Sequence, residues 1–203
     1  LKKDGNKYAS QIHKKQKEAN KIDKQIEKLI RDAIAASNKK NATKKGTKTK
    51  GTSIRLTLTP EAKLLAADFT KNKGKLPWPV KNGLVVKRFG NTRHPQLPNV
   101  TTYCSGVEIT TEKNAKARAV FKGEVMEIQK IKGASNAVFI QHGNYITVYQ
   151  NLTNVMVKKG DLVLTKQEIG SVATKASSGK SILKFLVYQN NQKMNPASWI
   201  YKL

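Results

Sequence analysis

The sequence predicts a mainly β fold: an antiparallel β-sheet domain over residues 76–203, preceded by one long helix and one short helix. Three observations predict it. From Leu76 onward, short runs rich in β-branched and aromatic residues alternate with glycine and asparagine turns. Before residue 36, apolar residues recur in alternating steps of four and three, which is a helical spacing. Between these regions lies a stretch with no aliphatic or aromatic residue beyond alanine.

Residues 1–36 read as a coiled-coil helix, the C-terminal part of a longer one. Tyr8, Ile12, Lys15, Ala19, Ile22, Ile26, Leu29 and Ala33 form the seam, with Lys15 as a defect. Ile30 and Ile34 widen the stripe near its end. A lone helix of this kind is not stable, so the stripe needs a partner. That partner is a second coiled-coil strand or the chain's own domain, and the length with few caps favours the former. Residues 37–55 read as a flexible linker rich in lysine and threonine.

Residues 56–75 read as a short helical arm. Thr59 suits the N-cap, Pro60 the first helical position and Glu61 the positive helix end. Leu64, Leu65 and Phe69 share a face that suits a core contact or a detachable plug. The expected strands are 84–89, 107–110, 118–121, 124–131, 137–142, 145–149, 169–174 and 182–188. His142-Gly143-Asn144-Tyr145 forms a tight turn, and a short helix from Asn195 to Ile200 closes the domain. The strand Ser181–Tyr188 stands out. Leu183, Phe185 and Val187 alternate with Ile182, Lys184, Leu186 and Tyr188, so the first set suits the core. The second face carries a lysine between aliphatics, and its role is the main question.

The 203 residues hold 39 basic and 13 acidic side chains, a net charge of +26. Such an excess implies either anionic surroundings (nucleic acid, an anionic membrane surface or acidic wall polymers) or only a lysine-rich composition that keeps the protein soluble. Lysine dominates, whereas base reading favours arginine, and no aromatic cluster flanks the basic run; specific nucleic-acid binding is not expected. The single cysteine, Cys104, excludes an internal disulfide. No apolar run reaches the length of a spanning helix. The chain begins at Leu1 in mid-pattern, as a partial or processed chain would.

A series of short landmarks resembles the LytM or lysostaphin-type zinc metallopeptidase domain. They are Pro77-Trp78-Pro79-Val80, Phe89-Gly90, Gly106-Val107-Glu108-Ile109 and Ala119-Val120-Phe121-Lys122-Gly123-Glu124-Val125. Gln141-His142-Gly143-Asn144-Tyr145, Tyr149-Gln150-Asn151-Leu152, Val157-Lys158-Lys159-Gly160-Asp161, Gln167-Glu168-Ile169-Gly170 and Asn195-Pro196 follow in order. With the preceding helix and the Leu58–Pro79 segment, the pattern is similar to the noncatalytic murein hydrolase activators that carry such a domain.

The resemblance implies a lysostaphin-type sheet (the duplicated hybrid motif) whose active-site positions are altered. Where the peptidases place histidine, three residues, then aspartate as zinc ligands, this chain has Cys104 and Glu108. The catalytic histidine two after a tyrosine becomes Asn151. The His-x-His pair on the last strand becomes Ile182 and Lys184. A hydrolytic zinc needs three protein ligands and an open position, so neither catalysis nor a cofactor is expected. A noncatalytic metal at Cys104 and Glu108 is the residual alternative. His13, His94 and His142, in the coiled coil, a loop and a turn, read as structural. Lys184 is expected to pair with Glu108, its charge standing in for the metal.

The implied function is activation of a periplasmic N-acetylmuramoyl-L-alanine amidase at the cell envelope, near peptidoglycan, during wall splitting at division. The partner binds a metal-free groove of Cys104, Glu108, Asn151, Ile182, Lys184 and Leu186. An arm masks that groove until a membrane division complex acts on the coiled coil; the candidates are the short helix, through Leu64, Leu65 and Phe69, or the N-terminal helix. The competing expectation is a zinc endopeptidase acting on peptidoglycan cross-links.

Overall fold

The computed structural model describes residues 2–45, 55–94, 97–131 and 136–203. Helix α1 spans Lys2–Lys45 and so continues through the first part of the stretch read as a linker; residues 46–54 of that stretch lie outside the described residues. Helix α2 spans Pro60–Lys71. Its start follows the expected chemistry: the Thr59 side chain accepts from Ala62 N at 3.2 Å, and Pro60 and Glu61 occupy the first turn.

Among the described residues twelve strands follow: β1 Leu84–Lys87, β2 Gly90–His94, β3 Leu97–Cys104, β4 Val107–Thr111, β5 Lys116–Arg118 and β6 Gly123–Lys130. Then come β7 Asn136–His142, β8 Tyr145–Thr153, β9 Leu162–Val163, β10 Glu168–Val172, β11 Ser181–Gln189 and β12 Gln192–Met194. The main sheet runs β1-β4-β11-β8-β7-β6-β9, with β12 on β11 and the β5–β10 pair joined through β10 to β8. Every pairing is antiparallel. Strands β2 and β3 form a separate hairpin. Leu76 bridges Ile200 beside the closing turn Pro196–Ser198, tying the two ends of the β domain together. No helix among the described residues is long and apolar enough to cross a membrane.

The period of two in β11 gives the main sheet two apolar faces. Leu183, Phe185 and Val187 enter one core with Tyr149, Val138 and Ile140. Phe69 of α2 completes it, stacked 4.9 Å from His142 and 4.8 Å from Tyr145 and lying 4.9 Å from Trp199 between ring centroids. Gly143, at φ +69, permits this packing, since a Cβ there would stand 2.5 Å from Ala62 O. Leu186 and Tyr188 face the other way and join Phe139, Ile146, Val148 and Leu56 in a second core. That core is closed by Ile26, Ile30 and Ile34 of α1.

Two expectations need correction, and one hairpin was not foreseen. The strand expected at 118–121 is displaced to Lys116–Arg118. Ala119, Val120 and Phe121 are all buried, so the segment crosses the core rather than alternating, and Val120 N–H donates to the Tyr149 hydroxyl at 2.8 Å. His94 ends a strand rather than lying in a loop. The β2–β3 hairpin carries threonine, asparagine and arginine with little aliphatic content, so hydrophobic alternation does not announce it.

Candidate functional site

Lys184 and Leu186, two of the positions that the resemblance assigns to the site, lie on the face of the sheet under α1. In the ladder, Lys184 of β11 stands opposite Glu108 of β4 on one side and Gln150 of β8 on the other. Cys104 ends β3 and is buried; burial pushes its thiol pKa up, which disfavours the thiolate that a metal requires. Asn151 sits in the left-handed region at φ 75 and donates from Nδ2 to Ile182 O at 2.7 Å and to Ala173 O at 3.4 Å. It therefore braces the start of β11. Leu186 is fully buried beneath α1. Gly106 permits the close approach of β4 to β11, because a Cβ would collide with Phe185 O.

Lys184 does not take Glu108 as its ion-pair partner. Its Nζ donates to Asp23 Oδ1 of α1 at 2.8 Å, and the Ser105 hydroxyl donates to the same oxygen at 2.8 Å. The lysine side chain is 13% exposed and the aspartate 7%, so the pair is largely withdrawn from water. A second pair, Lys193 Nζ with Glu27 Oε1 at 2.6 Å, lies one helical turn further along. Burial opposes the Lys193 charge, but the Glu27 hydrogen bond and the nearby acidic groups outweigh it and raise its pKa.

Two side-chain amides fix α1 on either side of its buried isoleucines. Gln16 Nε2 donates to Tyr103 O at 3.0 Å while its Oε1 accepts from Tyr103 N at 3.0 Å, as a neighbouring strand would. Asn38 repeats the device on the incoming chain, donating to Arg55 O at 2.8 Å and accepting from Thr57 N at 2.6 Å. Asp23, Gln16, Asn38 and Ser105 were not among the residues singled out from the sequence. One signal for two of them was available: Gln16 and Asp23 are seven residues apart, in phase with Ile30, so polar groups interrupt the apolar stripe at heptad spacing.

The proposed masking residues of α2 lie elsewhere. Leu64 is 70% exposed, Leu65 packs on the first core and Phe69 lies inside it. None belongs to the cluster over Leu186, so α1 and not α2 covers the groove. His142 is likewise internal, with Nδ1 2.7 Å from Lys122 O and Nε2 2.9 Å from Thr147 Oγ1; burial lowers its pKa to about 4.

The donor set does not fit a hydrolytic zinc. The position that the resemblance assigns to the third ligand holds an ammonium engaged by Asp23, burial favours the thiol form of Cys104, and Asn151 and Ile182 offer no acid–base group. Among the described residues no three His, Cys, Asp or Glu side chains are grouped as metal ligands.

Residues 102–196 match the family model of Peptidase family M23. A zinc-containing peptidase from Vibrio cholerae shares the fold with a TM-score of 0.52 and 27% identity, over 62% of this chain and 40% of that one. The β domain therefore shares the M23 (LytM-type) fold and is similar to that family over the matched residues. The chain as a whole is similar to the murein hydrolase activator EnvC of Escherichia coli (strain K12), with 26% identity over 176 residues, 86% of this chain and 40% of EnvC. It is also 29% identical over 136 residues to protein NMB1333 of Neisseria meningitidis serogroup B, covering 66% of this chain and 22% of that protein. The chain thus spans less than half the length of either curated relative.

Proposed function

We propose that this chain is a noncatalytic activator of a peptidoglycan amidase of the N-acetylmuramoyl-L-alanine type, and that it binds the amidase through the groove under α1. The observation that carries this reading is the Lys184–Asp23 pair. At a position where a peptidase holds a metal ligand, this chain has a cation that binds a helix. Ile26, Ile30 and Ile34 fill the adjoining apolar floor of Leu186 and Tyr188. A floor of aliphatic residues with one central charge suits an amphipathic helix. In this reading α1 is the groove's resident ligand and the amidase segment its competitor. The amidase is drawn to its open state only to the extent that the groove binds the displaced segment better than α1.

The similarity to EnvC supports the murein hydrolase class of partner and a place at the cell envelope. A membrane division complex acting on α1 would shift the balance toward the open groove.

The test is amidase activity on purified wall material with the full chain and with Asp23→Lys, which sets two ammonium groups against each other in the groove. Stimulation stronger with Asp23→Lys than with the unaltered chain is expected. Equal stimulation by both would remove α1 from the account. Stoichiometric zinc together with cleavage of wall peptides by the chain alone would establish the endopeptidase instead.

A further inference from the structure

The groove does not account for a second concave site on the β5 side of the domain. Three loops surround it: residues 81–82 after the Val80 bridge to Ala117, residues 111–116 between β4 and β5, and residues 166–168 before β10. Together they enclose a cleft of about 340 Å³ that shares no residue with the groove under α1. Lys81, Lys113, Lys116, Arg118 and Lys166 line it, opposed only by Glu112 and Glu168. Five of its eleven lining residues are basic, against 39 of 203 in the chain, so the cluster exceeds what a lysine-rich composition would place there.

Two of these cations are held in place by neutral partners. Arg118 Nε donates to Trp78 O at 2.9 Å, which fixes the guanidinium plane at the cleft wall. Lys116 Nζ donates to the hydroxyl of the buried Ser171 at 2.8 Å. Glu112 is engaged by Asn82 Nδ2 at 3.4 Å. None of the five cations forms an ion pair with a carboxylate of the described residues. Like charges gathered in excess of the two carboxylates repel one another, and an anion that bridges them relieves that cost. The left-handed turns at Asn114, φ 63, and Lys166, φ 68, bend both outer loops around the cleft.

We propose that this cleft binds phosphate oxyanions, with Arg118 and Lys116 as the positioned donors and Lys81, Lys113 and Lys166 as mobile ones. A guanidinium edge matches two phosphate oxygens, and ammonium groups supply charge without fixed direction. The phosphate belongs either to a lipid headgroup or to a soluble or polymeric phosphate. This inference stands apart from the groove reading.

The test is a residue-resolved NMR titration of the full chain with inorganic pyrophosphate at constant ionic strength. Saturable shifts concentrated at Ala115, Ala117 and Gln167 are expected. Lys113→Gln with Lys166→Gln removes two exposed cations without touching the fold and should weaken binding at least about tenfold, roughly one charge-assisted hydrogen bond. The charge-matched control, Lys21→Gln with Lys24→Gln on the outer face of α1, should leave binding unchanged. Equal weakening by the control, shifts spread over lysines throughout the chain, or no saturation would mean an adventitious ion only and overturn the site. Vesicles of phosphatidylglycerol in phosphatidylcholine separate the sources. Capture that pyrophosphate releases and that Lys113→Gln with Lys166→Gln abolishes assigns a headgroup. Pyrophosphate binding without variant-sensitive capture assigns a soluble or polymeric phosphate.

Discussion

At the scale of single residues, Lys184 and Asp23 form the ion pair that ties α1 to the sheet. Both are largely buried, so removing one partner leaves the other charged and poorly solvated, a loss of roughly 3–5 kcal/mol when the pair is fully buried. Asp23 retains Ser105, which lessens the cost for Lys184→Met. A double-mutant cycle of Asp23→Asn and Lys184→Met, read by hydrogen exchange at the Ile26–Ile34 amides, should show each single change speeding exchange and the double change costing less than their sum. Strict additivity would mean that the pair adds nothing to docking. His142 gives a second prediction, about the β domain itself. Burial lowers its pKa from 6.5 to about 4, so the unfolded chain takes up the proton first. Its stabilising contribution is complete above pH 6.5 and is lost as pH falls through 4, by on the order of 3 kcal/mol. Denaturation midpoints measured from pH 7 to pH 4 should therefore fall less steeply in His142→Gln than in the unaltered chain.

At the scale of elements, α1 carries the main lesson about what the sequence makes legible. Its helicity follows from periodicity, and so do the two faces of β11, because both rest on side-chain spacing alone. Its partner does not. Ile26, Ile30 and Ile34 would suit a coiled-coil seam equally well, and only their burial against Leu186 and Tyr188 identifies the chain's own sheet as the surface they cover. The resemblance proposes groove positions on β4, β8 and β11, but Asp23 lies 161 residues from Lys184, beyond the reach of any local pattern. The β2–β3 hairpin went unread because its pairing uses polar residues, and Gln16 completes the edge that β3 turns toward α1. That contact is testable. Gln16→Ala leaves the Tyr103 amide and carbonyl without this partner and should cost about 1–2 kcal/mol locally. Hydrogen exchange should quicken between Ile12 and Ala19 while the Ile26–Ile34 segment stays protected. Simultaneous loss along the whole helix would instead show that α1 docks as one cooperative unit.

At the scale of the whole molecule, charge works against the docked arrangement. Residues 1–45 hold fourteen basic and five acidic side chains, and the rest of the chain twenty-five and eight, so α1 and the β domain repel each other at long range. Attraction is short-ranged and includes the Asp23 and Glu27 pairs, three buried isoleucines worth roughly 1.5–3 kcal/mol each before entropy is counted, and the amide contacts on either side of them. Screening separates these contributions. Raising ionic strength from about 0.01 M to about 0.1 M shortens the Debye length from about 30 Å to about 10 Å, which suppresses the diffuse repulsion and barely touches a buried pair. Docking of α1 should therefore tighten with salt, seen as slower exchange at Ile26, Ile30 and Ile34. If surface ion pairs held the helix, the sign would reverse and exchange would quicken. Lys184→Met distinguishes a further case: it should weaken docking at every salt concentration but keep the same positive salt slope, since the slope comes from the summed charge and not from the pair. A slope that vanished with Lys184 would place the electrostatic balance in the groove itself. On the proposed reading, polyanionic surroundings act on the chain as added salt does, favouring the covered groove until a partner competes for it.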